Sequence, residues 1–338
     1  MLSSKERLLT VLKGEKVDRP PVICTGGMMN AATVEIMDKT GHTLPEAHSD
    51  SQLMADLAAD IYEQTGFENI GIPFCMTVEA EILGSEVTYG TLACEPKITK
   101  EVFATASDVT IRDIDDMLGS GRVGTVVEAV GILAKRYPNV PIIGNLTGPI
   151  STAASLVDPV SLLKELRRKP EDCHKVLEYV TQLLIAFAKK MIANGATVIA
   201  ISDPTATGEI LGPKNFRDFA LPYINRIADA VHEENVPILL HICGNMNAVR
   251  SLIAEIRSDA ISTDAIVNLR ELKNHIPKLT TMGNVSTYLL EFGTSANVGN
   301  QVRRLVKDGV NIISPACGLS TSTSLKLIRT MTDAVKEG

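Results

Sequence analysis

From about residue 138 onward, short β-branched runs alternate with longer segments of helical periodicity. Each β-branched run ends in Gly, Asn, Asp, Pro or Cys. These runs predict strands at Val140–Asn145, Thr197–Asp203, Val236–Cys243, Ala260–Asp264, Leu279–Asn284 and Asn311–Cys317. The helical periodicity predicts helices near 159–168, 171–194, 214–234, 246–257, 296–308 and 321–336. Repeated strand–helix–strand units predict a parallel sheet with right-handed crossovers.

The residues that end the predicted strands distinguish an open sheet from a closed barrel. Polar or metal-binding side chains stand at the end of almost every strand: Asn145, Asp203, His241, Cys243, Asp264, Asn284 and Cys317. A (β/α)8 barrel gathers all its strand ends at one mouth, whereas an open sheet gathers only those beside its switch point. The pattern therefore predicts an α/β fold of the (β/α)8 TIM-barrel type.

The N-terminal part of the chain lacks this alternation. Residues 1–65 are mostly helical in pattern and predict an N-terminal helical cap, with the barrel at 66–338 in a single domain 1–338. Val22–Cys24 and Asn69–Pro73 are interpreted as short strands, the second as the first strand of the barrel. Residues 74–99 predict a β-rich excursion.

Composition narrows the classes of function. The chain has 338 residues, of which 45% are hydrophobic and 4% aromatic, and aliphatic cores of this kind suit a buried parallel sheet. A net charge of −7 argues against nucleic acid as the main ligand. No signal peptide and no apolar run of about 20 residues is visible, so we expect a cytoplasmic protein outside the membrane. The six cysteines are then expected to be thiols.

The segment Leu240-His-Ile-Cys-Gly-Asn carries the most specific chemistry. His241 and Cys243 are two residues apart at a strand end, where alternate side chains share a face, and Cys317 ends a later strand. One imidazole and two thiolates suit zinc, and three protein ligands leave the fourth position open, as in catalytic sites. A hydrogen-bonded core histidine with two buried cysteines explains the same residues, so the pattern alone leaves both interpretations open.

Motifs along nearly the whole chain carry a family resemblance. They are Lys5-Glu-Arg, Val17-Asp-Arg-Pro-Pro, Pro73-Phe-Cys-Met-Thr-Val-Glu-Ala-Glu, Gly144-Asn-Leu-Thr-Gly-Pro, Ile201-Ser-Asp-Pro, Phe216-Arg-Asp-Phe, Pro222-Tyr, His241-Ile-Cys-Gly-Asn and Cys317-Gly. With them the chain resembles the uroporphyrinogen decarboxylase superfamily, and its His-x-Cys…Cys set resembles that of the methylcobamide:coenzyme M methyltransferases. The decarboxylases hold an acidic tetrapyrrole with N-terminal arginines. The matching stretch here, 22–30, contains no arginine, which argues against that reaction.

The resemblance implies a Zn2+ ion held by His241, Cys243 and Cys317. Coenzyme M, a small thiol sulfonate, would bind at the open position of the zinc and lose its thiol proton. Its thiolate would then take a methyl group from a methylated corrinoid (methylcobalamin chemistry) carried by a partner corrinoid protein, in methanogenesis from methylated compounds. The alternatives are another acceptor such as homocysteine or a folate, a uroporphyrinogen decarboxylase-like enzyme, or a barrel whose metal is structural.

Four further residues are candidates for supporting roles. Glu79 and Glu81 are candidates for a fourth zinc ligand or a proton acceptor. Asp203 is predicted either to orient His241 through its second ring nitrogen or to cap a helix. Asn145 is predicted either to donate hydrogen bonds to a bound substrate or cofactor, or to build the turn that follows its strand.

Overall fold

Helices and strands alternate along most of the computed structural model, which describes residues 2–119 and 121–337. The strands are β1 (Ile70–Ile72), β2 (Glu86–Thr88), β3 (Lys97–Lys100), β4 (Ile142–Thr147), β5 (Val198–Ser202), β6 (Ile238–Ile242), β7 (Ala260–Thr263) and β8 (Thr281–Met282). The α-helices are α1 (Ser4–Leu12), α2 (Val34–Thr40), α3 (Ser51–Thr65), α4 (Val78–Leu83), α5 (Ile114–Leu118), α6 (Arg122–Arg136), α7 (Pro149–Leu156), α8 (Pro159–Arg168), α9 (Pro170–Ala193), α10 (Gly208–Asn215), α11 (Leu221–Glu233), α12 (Leu269–His275), α13 (Thr287–Phe292), α14 (Ser295–Lys307) and α15 (Leu325–Lys336). Within the described ranges, no helix combines the length and the apolar character needed to cross a bilayer.

Six of the strands form one parallel sheet in the order β1-β4-β5-β6-β7-β8. Two further segments close this sheet into a ring. Beyond β8, Ile312 pairs in parallel with Met282, and its neighbour Ile313 pairs in parallel with Val22. The N–H of Glu68, just before β1, donates to the carbonyl of Val22. Eight segments therefore make a (β/α)8 barrel, as predicted, and the carboxyl ends of its strands meet at one mouth.

The barrel begins earlier in the chain than the boundary at residue 65 allows. Val22 lies in the first barrel segment, and α3 contacts both α6 and α15, so it belongs to the outer ring of helices. The predicted cap at 1–65 therefore contains the first strand–helix unit, and this boundary is wrong. The physical reason is the shortness of the first segment, which runs into Thr25-Gly-Gly instead of extending as a β-branched strand.

Helix α1 lies at the end of the barrel opposite the mouth. Leu8 and Leu12 belong to the same buried cluster as Ile143 and Val198, which stand near the starts of β4 and β5. Burying these side chains at the amino-terminal ends of the strands fills that opening with apolar atoms. The polar side chains at the strand ends lie at the other opening.

Some predicted elements differ from those observed. The predicted helices near 159–168, 171–194 and 296–308 correspond to α8, α9 and α14, whereas the one near 246–257 is a 3₁₀ helix at Asn247–Glu255. The predicted helix at 214–234 is interrupted by a π-helical turn at Phe216–Ala220, just before Pro222, which has no N–H for the helical ladder. The predicted β-rich excursion at 74–99 contains α4 as well as the β2–β3 hairpin.

Candidate metal centre at the barrel mouth

Three side chains predicted as metal ligands converge at the mouth. His241 lies in β6, Cys243 follows that strand, and Cys317 follows the last barrel segment. The Sγ atom of Cys243 is 3.0 Å from Nε2 of His241 and 3.3 Å from Sγ of Cys317. The three potential ligand atoms lie within 4.8 Å of one another. The structure therefore brings together a nitrogen and two sulfurs from strands far apart in the sequence.

A glycine follows each cysteine and allows this convergence. Gly244 has a φ of +73°, and a Cβ atom there would lie 2.9 Å from Oγ1 of Thr207. A Cβ atom on Gly318 would lie 2.3 Å from the carbonyl oxygen of Met28. Any larger residue at Gly318 would push the loop away from Met28, so the glycine fixes how closely this loop crosses the mouth.

The ring of His241 is held by Ser262 on β7. Nδ1 of the imidazole is 2.9 Å from Oγ of Ser262, and this hydroxyl lies 3.8 Å from the sulfur of Met29. A thioether sulfur can only accept, so the Ser262 proton faces Met29 and the serine oxygen accepts from Nδ1–H. This tautomer leaves the Nε2 lone pair directed at Cys243, where a metal ligand needs it.

The side chains of Cys243 and Cys317 are hydrogen-bonded to each other. The pKa of Cys317 is lowered, chiefly because the thiol of Cys243 donates a hydrogen bond to its thiolate. The pKa of Cys243 is raised because its thiol is the donor in that hydrogen bond and because it is partly buried. A soft anionic sulfur, a second thiol and an imidazole at these distances are the donor set that suits a zinc ion.

The role in orienting His241 that was predicted for Asp203 is wrong. Its carboxylate accepts hydrogen bonds from the backbone N–H groups of Ile150 and Ser151 and from the Ser151 hydroxyl, at 2.7 to 3.1 Å. Asp203 therefore caps α7, which was the alternative prediction. Burial raises the pKa of this carboxyl to about 6, although these hydrogen bonds oppose the shift. Ser202 is the register partner of His241, so the next side chain along β5 points to the other face.

Glu79 is buried at 2% exposure and lies outside the ligand group. Its carboxylate accepts from the backbone N–H of Thr147 at 2.8 Å and from the hydroxyl of the same residue at 3.0 Å. Burial raises the pKa of this carboxyl, and the Thr147 hydrogen bonds oppose that shift. Glu81 instead pairs with the guanidinium of Arg122 at 2.5 Å. The structure places neither glutamate as the fourth metal ligand that was predicted.

Asn145 ties three barrel segments together. Its side-chain N–H groups are directed at the carbonyl oxygens of Thr25 at 2.6 Å, Ile72 at 3.1 Å and Ile143 at 3.3 Å. These acceptors occupy its only donor group, so the prediction that Asn145 donates hydrogen bonds to a bound substrate is wrong. It joins the first segment to β1 and β4.

Two cavities open at the mouth, and the larger of them is lined by Cys317. The larger cavity, about 710 Å³, is bordered by Cys317, Tyr288, Phe292 and others, and the smaller cavity, about 510 Å³, by Thr77, Thr147, Ser151 and others. Met28, Glu95 and Lys97 border both cavities. The β2–β3 hairpin and its loop thus contribute to the site, which the sequence did not predict. No sequence motif marks Glu95, Lys97 or Ser262.

Comparisons with known proteins agree with the motifs. The family model of uroporphyrinogen decarboxylase (URO-D) matches residues 3–338. The chain is 33% identical to the methylcobamide:CoM methyltransferase MtbA of Methanosarcina acetivorans, over 98% of this chain and 97% of that protein. Its identity to the methylcobamide:CoM methyltransferase MtaA of Methanosarcina barkeri is also 33%, with the same coverage. A solved methyltransferase structure from Methanosarcina mazei matches with a TM-score of 0.93 at 32% identity, covering 100% of this chain and 99% of that one. The chain therefore belongs to the uroporphyrinogen decarboxylase family, in the branch that includes the methylcobamide:CoM methyltransferases.

Proposed function

We propose that this protein is a zinc-dependent methyltransferase. It moves a methyl group from a methylated corrinoid, carried on a separate corrinoid protein, to the thiol of coenzyme M, in methanogenesis from methylated compounds. The observation that carries the proposal is the convergence of His241, Cys243 and Cys317 at the barrel mouth, next to the larger cavity. The printed names of the relatives MtbA and MtaA support the same donor and acceptor.

Zinc is the metal that best suits these ligands. Each residue offers one atom, and a nitrogen with two sulfurs makes three of the four positions of a tetrahedral zinc site. When bound here, Zn2+ would depress the pKa of an incoming thiol so that the acceptor is held as its thiolate. The Cys317 side of the ligand group borders the larger cavity, which gives an acceptor thiol a route to the site.

The residues of the chain orient the metal ligands and admit the substrates. Ser262 holds the ring of His241 in the tautomer that presents Nε2, and Gly318 sets the approach of the loop that carries Cys317. The larger cavity is open to solvent along an edge formed by Tyr288 and Phe292, whose side chains are 69% and 71% exposed. This open side gives a corrinoid on a partner protein a route to the acceptor.

The transfer itself is a displacement at carbon. The acceptor thiolate forms the new S–CH3 bond, the Co–CH3 bond breaks, and its electron pair stays on cobalt. Methylated Co(III) corrinoid and thiolate therefore become Co(I) corrinoid and thioether, with no other oxidant or reductant. The thiol proton leaves before transfer, and a buried carboxylate such as Glu79 is hydrogen-bonded elsewhere, so bulk solvent is the simplest acceptor.

The proposal is tested by metal analysis and by an assay with free methylcobalamin. We expect about one zinc per chain and formation of Co(I) corrinoid with coenzyme M as the acceptor. Homocysteine and tetrahydrofolate are parallel acceptors in the same assay. Faster transfer to either of them would replace coenzyme M in the proposal, and a protein that folds but binds no zinc would overturn it.

The proposal also places the enzyme in the cytoplasm. All six cysteines are free thiols in the structure, including the two that are proposed as zinc ligands. A reducing compartment keeps such thiols available for metal binding.

A further inference from the structure

Lys97, the first residue of β3, is a cation at the border between the two cavities. It lines both of them, and none of the other described residues that line either cavity is a lysine or an arginine. Lys100, three residues further along the strand, pairs with Glu86 at 3.4 Å. Within residues 2–119 and 121–337, no carboxylate pairs with the ammonium group of Lys97 in this way. Lys97 therefore presents an unneutralised positive charge at the mouth.

Three other hydroxyl groups around the smaller cavity already donate hydrogen bonds within the protein. The hydroxyl of Thr147 bonds the buried carboxylate of Glu79, and that of Ser151 bonds the carboxylate of Asp203. The hydroxyl of Thr77 donates to the sulfur of Cys75 at 3.3 Å. Among the described residues that line the two cavities, Lys97 is the cationic donor that an anionic ligand would meet.

The negative charge around the metal centre would oppose the binding of an anionic acceptor, and a nearby cation would reduce that repulsion. Two thiolates balance the charge of a divalent ion, so an acceptor thiolate adds one negative charge next to Cys317. Glu95 adds a second negative charge at the border of both cavities, where its carboxylate accepts a hydrogen bond from Asn30 at 3.3 Å. An acceptor with its own anionic group would be repelled there unless a cation compensated the charge.

We propose that Lys97 binds the sulfonate of the acceptor thiol and thereby selects an anionic thiol over a neutral one. This inference rests on the proposed function, because it assumes that the acceptor thiol is held at the metal centre. A sulfonate offers three oxygen acceptors, and an ammonium group offers three donors without the fixed plane of a guanidinium. Lys97 is then a specificity-determining residue that acts at the end of the substrate remote from the reacting sulfur.

The test compares two thiols that differ only in the anionic group. Holoenzyme, free methylcobalamin and either coenzyme M or 2-mercaptoethanol are used with the wild type, Lys97→Ala and Lys97→Arg. The matched control is Lys100→Ala, on the same strand but outside both cavities. Loss of one charge-assisted hydrogen bond in Lys97→Ala is expected to raise KM for coenzyme M by about ten- to a hundredfold. KM for 2-mercaptoethanol stays within about twofold, Lys97→Arg restores part of the loss, and Lys100→Ala resembles the wild type.

The outcomes separate this inference from the proposed function. A wild type that methylates neither thiol overturns the proposed acceptor, whatever Lys97 does. A wild type that methylates coenzyme M, together with an Ala variant whose KM changes equally for both thiols or for neither, overturns the role of Lys97. Calorimetric titration with ethanesulfonate, which has the anion but no thiol, adds a readout that does not depend on transfer. Binding to the wild type that is lost in Lys97→Ala supports the subsite, and binding that is equal in both proteins contradicts it.

Discussion

The two halves of the barrel mouth both carry polar side chains but use them differently. In the metal half, formed by the ends of β6, β7 and the last barrel segment, the ligand atoms of His241, Cys243 and Cys317 face one another within 4.8 Å. In the network half, formed by α4 and the ends of β4 and β5, Glu79 of α4 and Asp203 accept hydrogen bonds from backbone amides and hydroxyls. Both halves are polar, yet only the first leaves lone pairs directed at a shared point.

The two halves differ in how much of the bonding capacity of each polar group is already satisfied within the protein. A buried carboxylate that receives two or three hydrogen bonds stabilises the fold, because those amides would otherwise be unpaired. A thiolate and an imidazole that contact mainly each other are poorly satisfied until a cation joins them. Position at a strand end therefore identifies candidates, and unoccupied bonding capacity separates functional residues from structural ones. The four predictions below test this separation.

The largest effect is expected for Cys317→Ala, in the metal half. Removing one of three ligands should lower zinc content from about one per chain to well below half, and methyl transfer by about a thousandfold or more. Metal analysis of the purified variant and the methylcobalamin assay measure both. Cys173→Ala, which removes a buried thiol in α9, is the control and should keep its zinc. Full zinc occupancy in Cys317→Ala would mean that the cysteine is not a ligand.

Asp203→Ala, in the network half, should lower the stability of the protein and leave zinc binding intact. Removal of the buried carboxylate leaves two backbone N–H groups at the start of α7 without an acceptor. The free energy of unfolding should therefore fall by about 3 kcal/mol. Zinc content per folded chain should not change. Asp158→Ala removes the partly exposed cap of α8 and should cost only about 1 kcal/mol. Denaturant unfolding of the three proteins gives the values, and zinc loss in folded Asp203→Ala would erase the distinction between the halves.

An intermediate effect is expected for Ser262→Ala. This substitution keeps the metal-binding residue His241 but removes the hydroxyl that orients its ring. Without the serine oxygen, Nδ1 of His241 loses its acceptor and the ring its fixed tautomer. Zinc affinity should fall by about ten- to a hundredfold with little change in unfolding free energy. Competition with a chromophoric chelator measures the affinity. Ser202→Ala, at the register partner of His241 on β5, is the control. Equal affinity in the two variants would show that the strand alone positions the ring.

The fold could be predicted from sequence wherever a local pattern was long enough. The β-branched runs after residue 138 predict the places of β4 to β8 and of the last barrel segment, which pairs through isolated bridges, because each run is buried. Val22–Cys24 was predicted as a short strand but was not assigned to the barrel, because it contacts its neighbours through an isolated pair, Val22 with Ile313, and through the N–H of Glu68. Those contacts join residues distant along the chain, so no local pattern encodes them.

Only those contacts of the site that follow from the alternation of side chains along one strand could be predicted from the sequence. His241 and Cys243 share a face because they are two residues apart, and this needs no knowledge of the sheet. Assigning a partner to His241 requires the register between strands. That register places Ser262 beside the ring and turns Asp203 away from it. Lys97 reaches the mouth through the β2–β3 hairpin, whose path over the barrel is likewise set by tertiary contacts.

The smallest effect is expected for Glu79→Gln, in the network half. A glutamine keeps one oxygen acceptor for Thr147 and removes a buried charge. The free energy of unfolding at neutral pH should therefore change by no more than about 1 kcal/mol, and zinc content should not change.

The pH dependence of the stability difference between the wild type and Glu79→Gln is more informative than its magnitude at one pH. Because burial raises the pKa of Glu79 above its ordinary value near 4.5, the folded state holds this proton more tightly than the unfolded state. The contribution of the carboxyl to stability is therefore fully present below that ordinary value and is lost as pH rises through the folded pKa. The wild type should lose stability relative to Glu79→Gln over this window, as measured by urea unfolding at a series of pH values. A difference that moves the other way would mean that the Thr147 hydrogen bonds outweigh burial and that Glu79 is a stabilising anion at neutral pH.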